Sequence, residues 1–413
     1  MLDIIELLVY IVITFCIAEI LLWLAVRFTN KRFQWLITKK DSIPNLSKDG
    51  LNKFIPIGYE PELGWVRKPN TSHTERGRYG FTEWHINAKG ARFNPKYEDS
   101  KSTVSCYGDS FTFSRQVNDN ETWEHYLSEL LNTNVLNFGV GNYGVDQTLL
   151  RLKREYPQNK TQIVIIGVVP DTISRIMSIW KHYYEYGNTF GFKPRFVIKN
   201  GKLMLIKNPI DTSNKFFEFQ KFLPYIRKND FFYKNKFQKE LLRFPFLFYV
   251  LKNPTRNLKL IFWILIIQLL KYFHKDVSKI EWNPMKIIMR INLQWRVKLY
   301  NNPESIFLFK KIIEEFVKYS RENNFKAVFI FLPQKDDLIF IKSHFHYYKK
   351  FLNELDEVEG LYNVDITSNL IKLDNLDALY SDDNEYGGHL SSKGNQQVAS
   401  LIYEKLLDFN LIR

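Results

Sequence analysis

Thr103-Val104-Ser105-Cys106-Tyr107-Gly108-Asp109-Ser110-Phe111 reads as a short β-strand, Thr103 to Tyr107, that runs straight into a turn. Outward from it the chain alternates. A helix is expected from Glu121 to Leu131, with Trp123, Leu127, Leu130 and Leu131 on one face. A second strand covers Val135 to Phe138, a glycine-rich turn Gly139 to Gly144, and a helix Gln147 to Tyr156. Gln162 to Val169 is a continuous apolar run, as a central strand covered on both faces requires. The rhythm resumes at helix Pro303 to Asn323, strand Ala327 to Leu332, a helix near Ser343 to Glu354, a strand Tyr362 to Ile366 and a last helix to about Leu407. Strands alternating with helices predict an α/β fold with a parallel sheet.

Three stretches stand outside that rhythm. Residues 51–100 are rich in turn formers and aromatics and read as a small β-rich lead-in. Residues 181–300, rich in Phe, Tyr, Lys and Asn, read as an aromatic and basic insertion in the domain 101–413. Residues 1–27 form an apolar stretch, Ile4 to Val26, of the length of one membrane-spanning helix, followed by a basic linker, 28–50. Asp3 and Glu6 precede this span and Arg27, Lys31, Arg32, Lys39 and Lys40 follow it, so the positive-inside rule places the domain in the cytoplasm of a single-pass protein. Glu19 within the span either snorkels or marks a membrane protein partner. A second apolar run, Leu260 to Leu270, is too short to span and reads as a buried helix or, preferably, a helix lying in the interface.

The 413 residues carry 58 Lys and Arg against 44 Asp and Glu, a net charge of +14. That balance suits anionic partners, and basic residues interleaved with Phe and Tyr suit a membrane lipid surface. Nucleic acid is not expected, since no zinc spacing, helix-turn-helix pattern or aromatic RNA-binding signature is present. No metal and no cofactor is expected either. The two cysteines, Cys16 and Cys106, do not read as a disulfide, and Cys106 reads as a small buried strand residue.

A serine hydroxyl needs a base within hydrogen-bond reach and donors for the oxyanion that forms. Ser110 stands where a strand ends at the carboxyl edge of a parallel sheet, the place where open α/β folds put their sites. His389, behind Gly387 and Gly388, is the late histidine in a loop-then-helix context. A lone Gly-Asp-Ser is a weak signal, because such residues favour turns, and a lone His before a helix is no stronger. Their joint placement, with the glycine-rich turn after the second strand, carries the weight.

With Gly108-Asp109-Ser110-Phe111-Thr112-Phe113, Asn137-Phe138-Gly139-Val140-Gly141-Asn142-Tyr143-Gly144 and Gly388-His389-Leu390-Ser391 in hand, the chain resembles the SGNH (GDSL-type) hydrolase superfamily over about 103–180 and 303–410. The resemblance implies a flavodoxin-like three-layer α/β/α fold and ester or O-acyl chemistry through an acyl-serine. It makes Ser110 the nucleophile and an oxyanion donor through its N–H, with Gly141 and Asn142 beside it, and His389 the base.

Three positions depart from the family's pattern. Asn142 replaces a glycine; Pro170 or Asp171 stands where an amide donor is usual; and Tyr386 stands where an Asp precedes the His by three residues. Asp382, Asp383, Glu385 or a backbone carbonyl remains to orient His389, and Asp383 is the expected one. Asp109, Arg115 and Arg175 are candidates for substrate contacts, with surface ion pairs the plainer reading of both arginines. The expected function is an ester hydrolase or O-acyltransferase acting on an acylated glycan or lipid-linked substrate at the membrane. A non-catalytic glycan-binding or assembly subunit is the rival, and a phospholipase has no motif of its own.

Overall fold

The computed structural model describes residues 2–30 and 35–412. Lys31 and Arg32, on which the charge asymmetry partly rests, lie outside them, as does the side chain of Asp3. The chain divides into two compact units, residues 48–179, 192–216 and 293–413 in one and 1–47, 180–191 and 217–292 in the other.

The larger unit is built on β1 (Ser102–Gly108), β2 (Asn134–Asn137), β3 (Ile163–Val168), β4 (Lys326–Phe331) and β5 (Leu361–Val364). They form one sheet in the order β5-β4-β3-β1-β2, every pair parallel. Alternate residues serve opposite faces. Val104, Cys106, Ile163, Ile165, Val328 and Ile330 meet Trp123, Leu127, Val398 and Ile402 of helices Trp123–Leu131 and Ser392–Asp408. On the other face Phe329 and Phe331 pack on Phe309 of helix Pro303–Asn323, ring centroids 6.0 Å apart in each case. Helix Val145–Glu155 lies beside that helix. The result is the expected three-layer α/β/α arrangement. Cys106 is fully buried in it, and burial pushes its thiol pKa well up, so it is a packing residue.

Three expectations need correction. The lead-in opens with a helix, Lys48–Ile57, and its one sizeable hairpin is Ser72–Gly77 with Gly80–His85. The helix expected near Ser343–Glu354 is two helices, Lys335–Ser343 and Lys349–Asp356. The insertion is not one block, because residues 192–216, with the hairpin Arg195–Lys199 and Lys202–Ile206, belong to the α/β unit.

In the smaller unit, helix Leu2–Asn30 carries a 25-residue segment, Ile4–Phe28, long and apolar enough to cross a membrane. Near its carboxyl end it packs with Leu242, Val250, Leu260, Ile261 and Ile264. The Leu260 run is thus part of a longer helix, Pro254–Tyr272, that buries Leu260, Ile264 and Ile267 while exposing Phe262, Leu265 and Leu269. Glu19 has an intrachain partner: its carboxylate accepts the backbone N–H groups of Phe246 and Leu247 at the start of helix Phe246–Lys252. An anion at a helix N-terminus satisfies donors the helix leaves open. That use of Glu19 needs no second membrane protein.

Close approach of backbones at the sheet edge shapes the site. Gly108 lies beside Gly167 in register, and a Cβ at Gly108 would collide with the Gly167 carbonyl oxygen and with Thr112. Gly108→Ala is expected to destabilise the protein by about 3 kcal/mol, measured as a lowered urea midpoint in detergent. A midpoint equal to that of wild type would contradict the close packing.

Candidate functional site

Ser110 stands in the turn that leaves β1, at the carboxyl edge of the sheet. Its side chain is nearly buried, and among the described residues neither its hydroxyl nor its N–H has a hydrogen-bond partner. Gly141 lies opposite, so close that a Cβ on it would stand 3.9 Å from that of Ser110. The N–H groups of Gly141 and Asn142 are likewise unpartnered among the described residues. Asn142 takes a left-handed φ of 68°, which Asn tolerates better than most residues.

Asp109 does not face outward as a substrate contact. It is fully buried, accepts the N–H groups of Phe111 and Val169 at 2.9 Å each, and pairs with Arg175 at 3.0 Å. Arg175 also donates to the Tyr143 carbonyl at 3.0 Å and pairs with Asp171 at 3.3 Å. Both residues therefore bind the site's own segments together. Asp171 is held by Arg175 and by Arg296, and the Pro170 carbonyl accepts from Tyr300, so this stretch supplies acceptors where a donor was sought.

His389 packs against Phe111, ring centroids 5.1 Å apart. No hydrogen bond joins it to Ser110 among the described residues. Such bonds are often loose before substrate arrives. The expected acid is not at its far nitrogen. Asp383 is on the surface, its side chain 77% exposed and paired with Arg78 at 2.6 Å. Nδ1 of His389 instead meets Oε1 of Gln116 at 2.7 Å. That oxygen also accepts the His389 backbone N–H and the Ser381 hydroxyl, each at 2.9 Å. The amide's Nε2 donates to the Arg76 carbonyl at 3.2 Å, which fixes which end of the amide is oxygen. An acceptor on Nδ1 puts the ring proton there and leaves the Nε2 lone pair free to take a proton.

Gln116 is delivered by strain. It has a φ of 67° and Ser114 one of 56°, values that cost a non-glycine residue energy. Arg92, buried and brought from the lead-in, holds the loop so: it donates to the carbonyls of Phe113 (2.7 Å), Ser114 (2.6 Å) and Val117 (2.7 Å) and pairs with Asp119 at 2.8 Å. Sequence reading missed Gln116 because it sought a carboxylate near the histidine in the chain. The only local signal, a polar residue in the loop after Ser110, is common to most loops.

The surroundings of His389 are positive. Burial first, then the guanidinium of Arg115, push its pKa down to about 3, with Arg175 and Arg67 adding to this and Glu75 opposing it. Arg115 itself forks onto Glu75, whose other oxygen takes the Gln116 N–H at 3.0 Å. No group of three or more His, Cys, Asp or Glu able to hold a metal occurs among the described residues.

No family model matches the chain, and no curated protein does. Among solved structures it is similar to a lipolytic protein of the G-D-S-L family from Desulfitobacterium hafniense DCB-2, at 12% identity and a TM-score of 0.35, over 74% of this chain and 99% of that one. It is also similar to a lipase/acylhydrolase from Enterococcus faecalis, at 10% identity and a TM-score of 0.34, over 74% and 95%. Likenesses this slight leave the site to be read from its own geometry.

A neutral amide on Nδ1 and a positive field both favour the uncharged ring. The His389 signals in an NMR titration are therefore expected to stay those of neutral imidazole well below the ordinary pKa of about 6.5. Gln116→Glu, which puts a carboxylate in place of the amide, should move the midpoint upward. An ordinary midpoint in wild type, or one unmoved in the variant, would contradict the contact.

Proposed function

We propose that the protein is an ester hydrolase or O-acyltransferase that works through an acyl-serine on Ser110, with an acylated glycan or lipid-linked substrate at the membrane. The observation that carries this is the His389–Gln116 contact. It leaves the imidazole Nε2 as a base in the neighbourhood of a serine whose hydroxyl has no competing partner.

In the reaction Ser110 Oγ attacks the ester carbonyl carbon while His389 Nε2 takes the hydroxyl proton. The carbonyl oxygen becomes an oxyanion, for which the N–H groups of Ser110, Gly141 and Asn142 are the donors available. The bond to the leaving oxygen then breaks and Nε2 returns the proton to it, leaving the acyl group on Ser110. Water or an acceptor hydroxyl completes the cycle by the same steps reversed. A site closed to water favours transfer over hydrolysis. The apolar helix Ile4–Phe28 supports work at a bilayer, and the basic flank of that helix supports a catalytic unit on the cytoplasmic side.

One observation favours a second reading, in which the site binds acylated glycan without turning it over: no hydrogen bond joins Ser110 to His389 among the described residues. The two readings part on a fluorophosphonate probe. Wild type is expected to be labelled and Ser110→Ala to remain blank. Gln116→Leu should lower turnover of an aryl acetate by about 10²-fold. Absence of labelling in a folded wild-type protein would decide for binding alone.

A further inference from the structure

Arg67 belongs to no motif, and its surroundings are unusual for a cation. It follows Trp65, whose indole N–H donates to the Gly141 carbonyl at 2.9 Å. Its own contact with Phe113, three residues beyond Ser110, and its electrostatic effect on His389 bring it to the neighbourhood of the site. Its guanidinium carbon sits 4.1 Å from the ring centre of Trp84 and 3.8 Å from that of Phe113, in the corner of two rings set at 88°. Its Nε is closed off from solvent and has no hydrogen-bond partner. Among the described residues Arg67 has no ion pair either.

The acid that acts on it, Glu75, is already held by Arg115. Burial and the neighbouring Arg115 and Arg92 pull the Arg67 pKa down to about 9, against Glu75. A half-buried cation without a counter-ion is costly, as is a buried donor without an acceptor. Contact with the Trp84 and Phe113 rings offsets part of that cost and confines the guanidinium between them, but supplies no acceptor. A planar fork held rigid is the form in which arginine recognises a two-oxygen anion.

We propose that Arg67 receives an oxyanion borne by the ester substrate, a carboxylate or phosphate on its glycan or lipid-linked part, beside the Ser110 turn. This rests on Ser110 being the nucleophile, and it makes the enzyme selective for acidic over neutral esters. A purely packing role for Arg67 would carry no charge preference.

The test uses the full chain in detergent and esters that differ only in charge: O-acetylated glucose, O-acetylated glucuronate and O-acetylated glucose phosphate. Wild type is expected to favour an anionic ester by about tenfold or more in kcat/KM. Preference for the uronate identifies the group as a carboxylate, preference for the phosphate as a phosphate. Arg67→Met should bring the ratio close to one. Arg67→Lys, which keeps the charge and loses the fork, should lose most of it and serves if the methionine variant does not fold. A ratio near one in wild type, or one unchanged by either variant, overturns the proposal. If no ester is turned over, the Ser110 reading fails and Arg67 is judged by binding alone. Glucuronate and glucose phosphate, with glucose as the blank, are then titrated against tryptophan fluorescence. A Kd raised about tenfold in Arg67→Met or Arg67→Lys sustains the assignment. Anion binding that is absent, or equal in wild type and variants, overturns it.

Discussion

The buried pair of Asp109 and Arg175 is the joint on which the site depends. Asp109 leaves the end of β1, takes a backbone N–H on each side of the sheet edge and is neutralised by Arg175, which reaches on to the Tyr143 carbonyl. Three segments that the chain keeps far apart are thereby fixed together: the serine turn, the turn after β2 and the end of β3. Burial raises the Asp109 pKa and the guanidinium lowers it. Removal of either partner would strand a charge in a place where water does not reach it. The Asp of the Gly-Asp-Ser turn thus acts through other residues, and the serine is presented by it.

A second clamp, Arg92, does for the following loop what Arg175 does for the turn. Its donors occupy the carbonyls of 113, 114 and 117 and so hold a backbone with two left-handed residues. The consequence is chemical. The acceptor that reaches His389 is an amide, which sets the tautomer as a carboxylate does but adds no negative charge. Amides serve this purpose in other nucleophile–histidine pairs.

The legible part of the protein was the part written in local periodicity. The apolar run Gln162 to Val169 had to be a central strand, and helix Pro303–Asn323 begins and ends where its proline and the Asn beyond it predict. Ser110 and His389 stood out as candidates because turns at strand ends and helix starts carry glycine and small polar residues. What stayed hidden was decided by tertiary contact. Gln116 and Arg67 are ordinary residues in sequence, given meaning only by Arg92 and by the Trp84–Phe113 corner. Asp383 looked suitable by proximity along the chain, yet its carboxylate points to Arg78 at the surface. Residues 192–216 share the composition of the insertion but fold with the α/β unit, because composition records environment and not topology.

Charge balance then links the base to the substrate. In the proposed reaction, when Ser110 gives up its proton, His389 becomes an imidazolium among Arg115, Arg175 and Arg67, with Glu75 the one opposing charge among its leading influences. Each unit by which its pKa is depressed weakens the base by about 1.4 kcal/mol. A carboxylate on Nδ1 would relieve this, and the protein has an amide there instead. An anion resting on Arg67 would cancel one of the three cations at the moment the imidazolium forms. Substrate charge would then act on the chemical step as well as on binding, raising kcat and not only lowering KM. A neutral ester, by contrast, leaves the proton transfer to run against the full field, so a site that is weak towards simple esters is what this arrangement of charges requires.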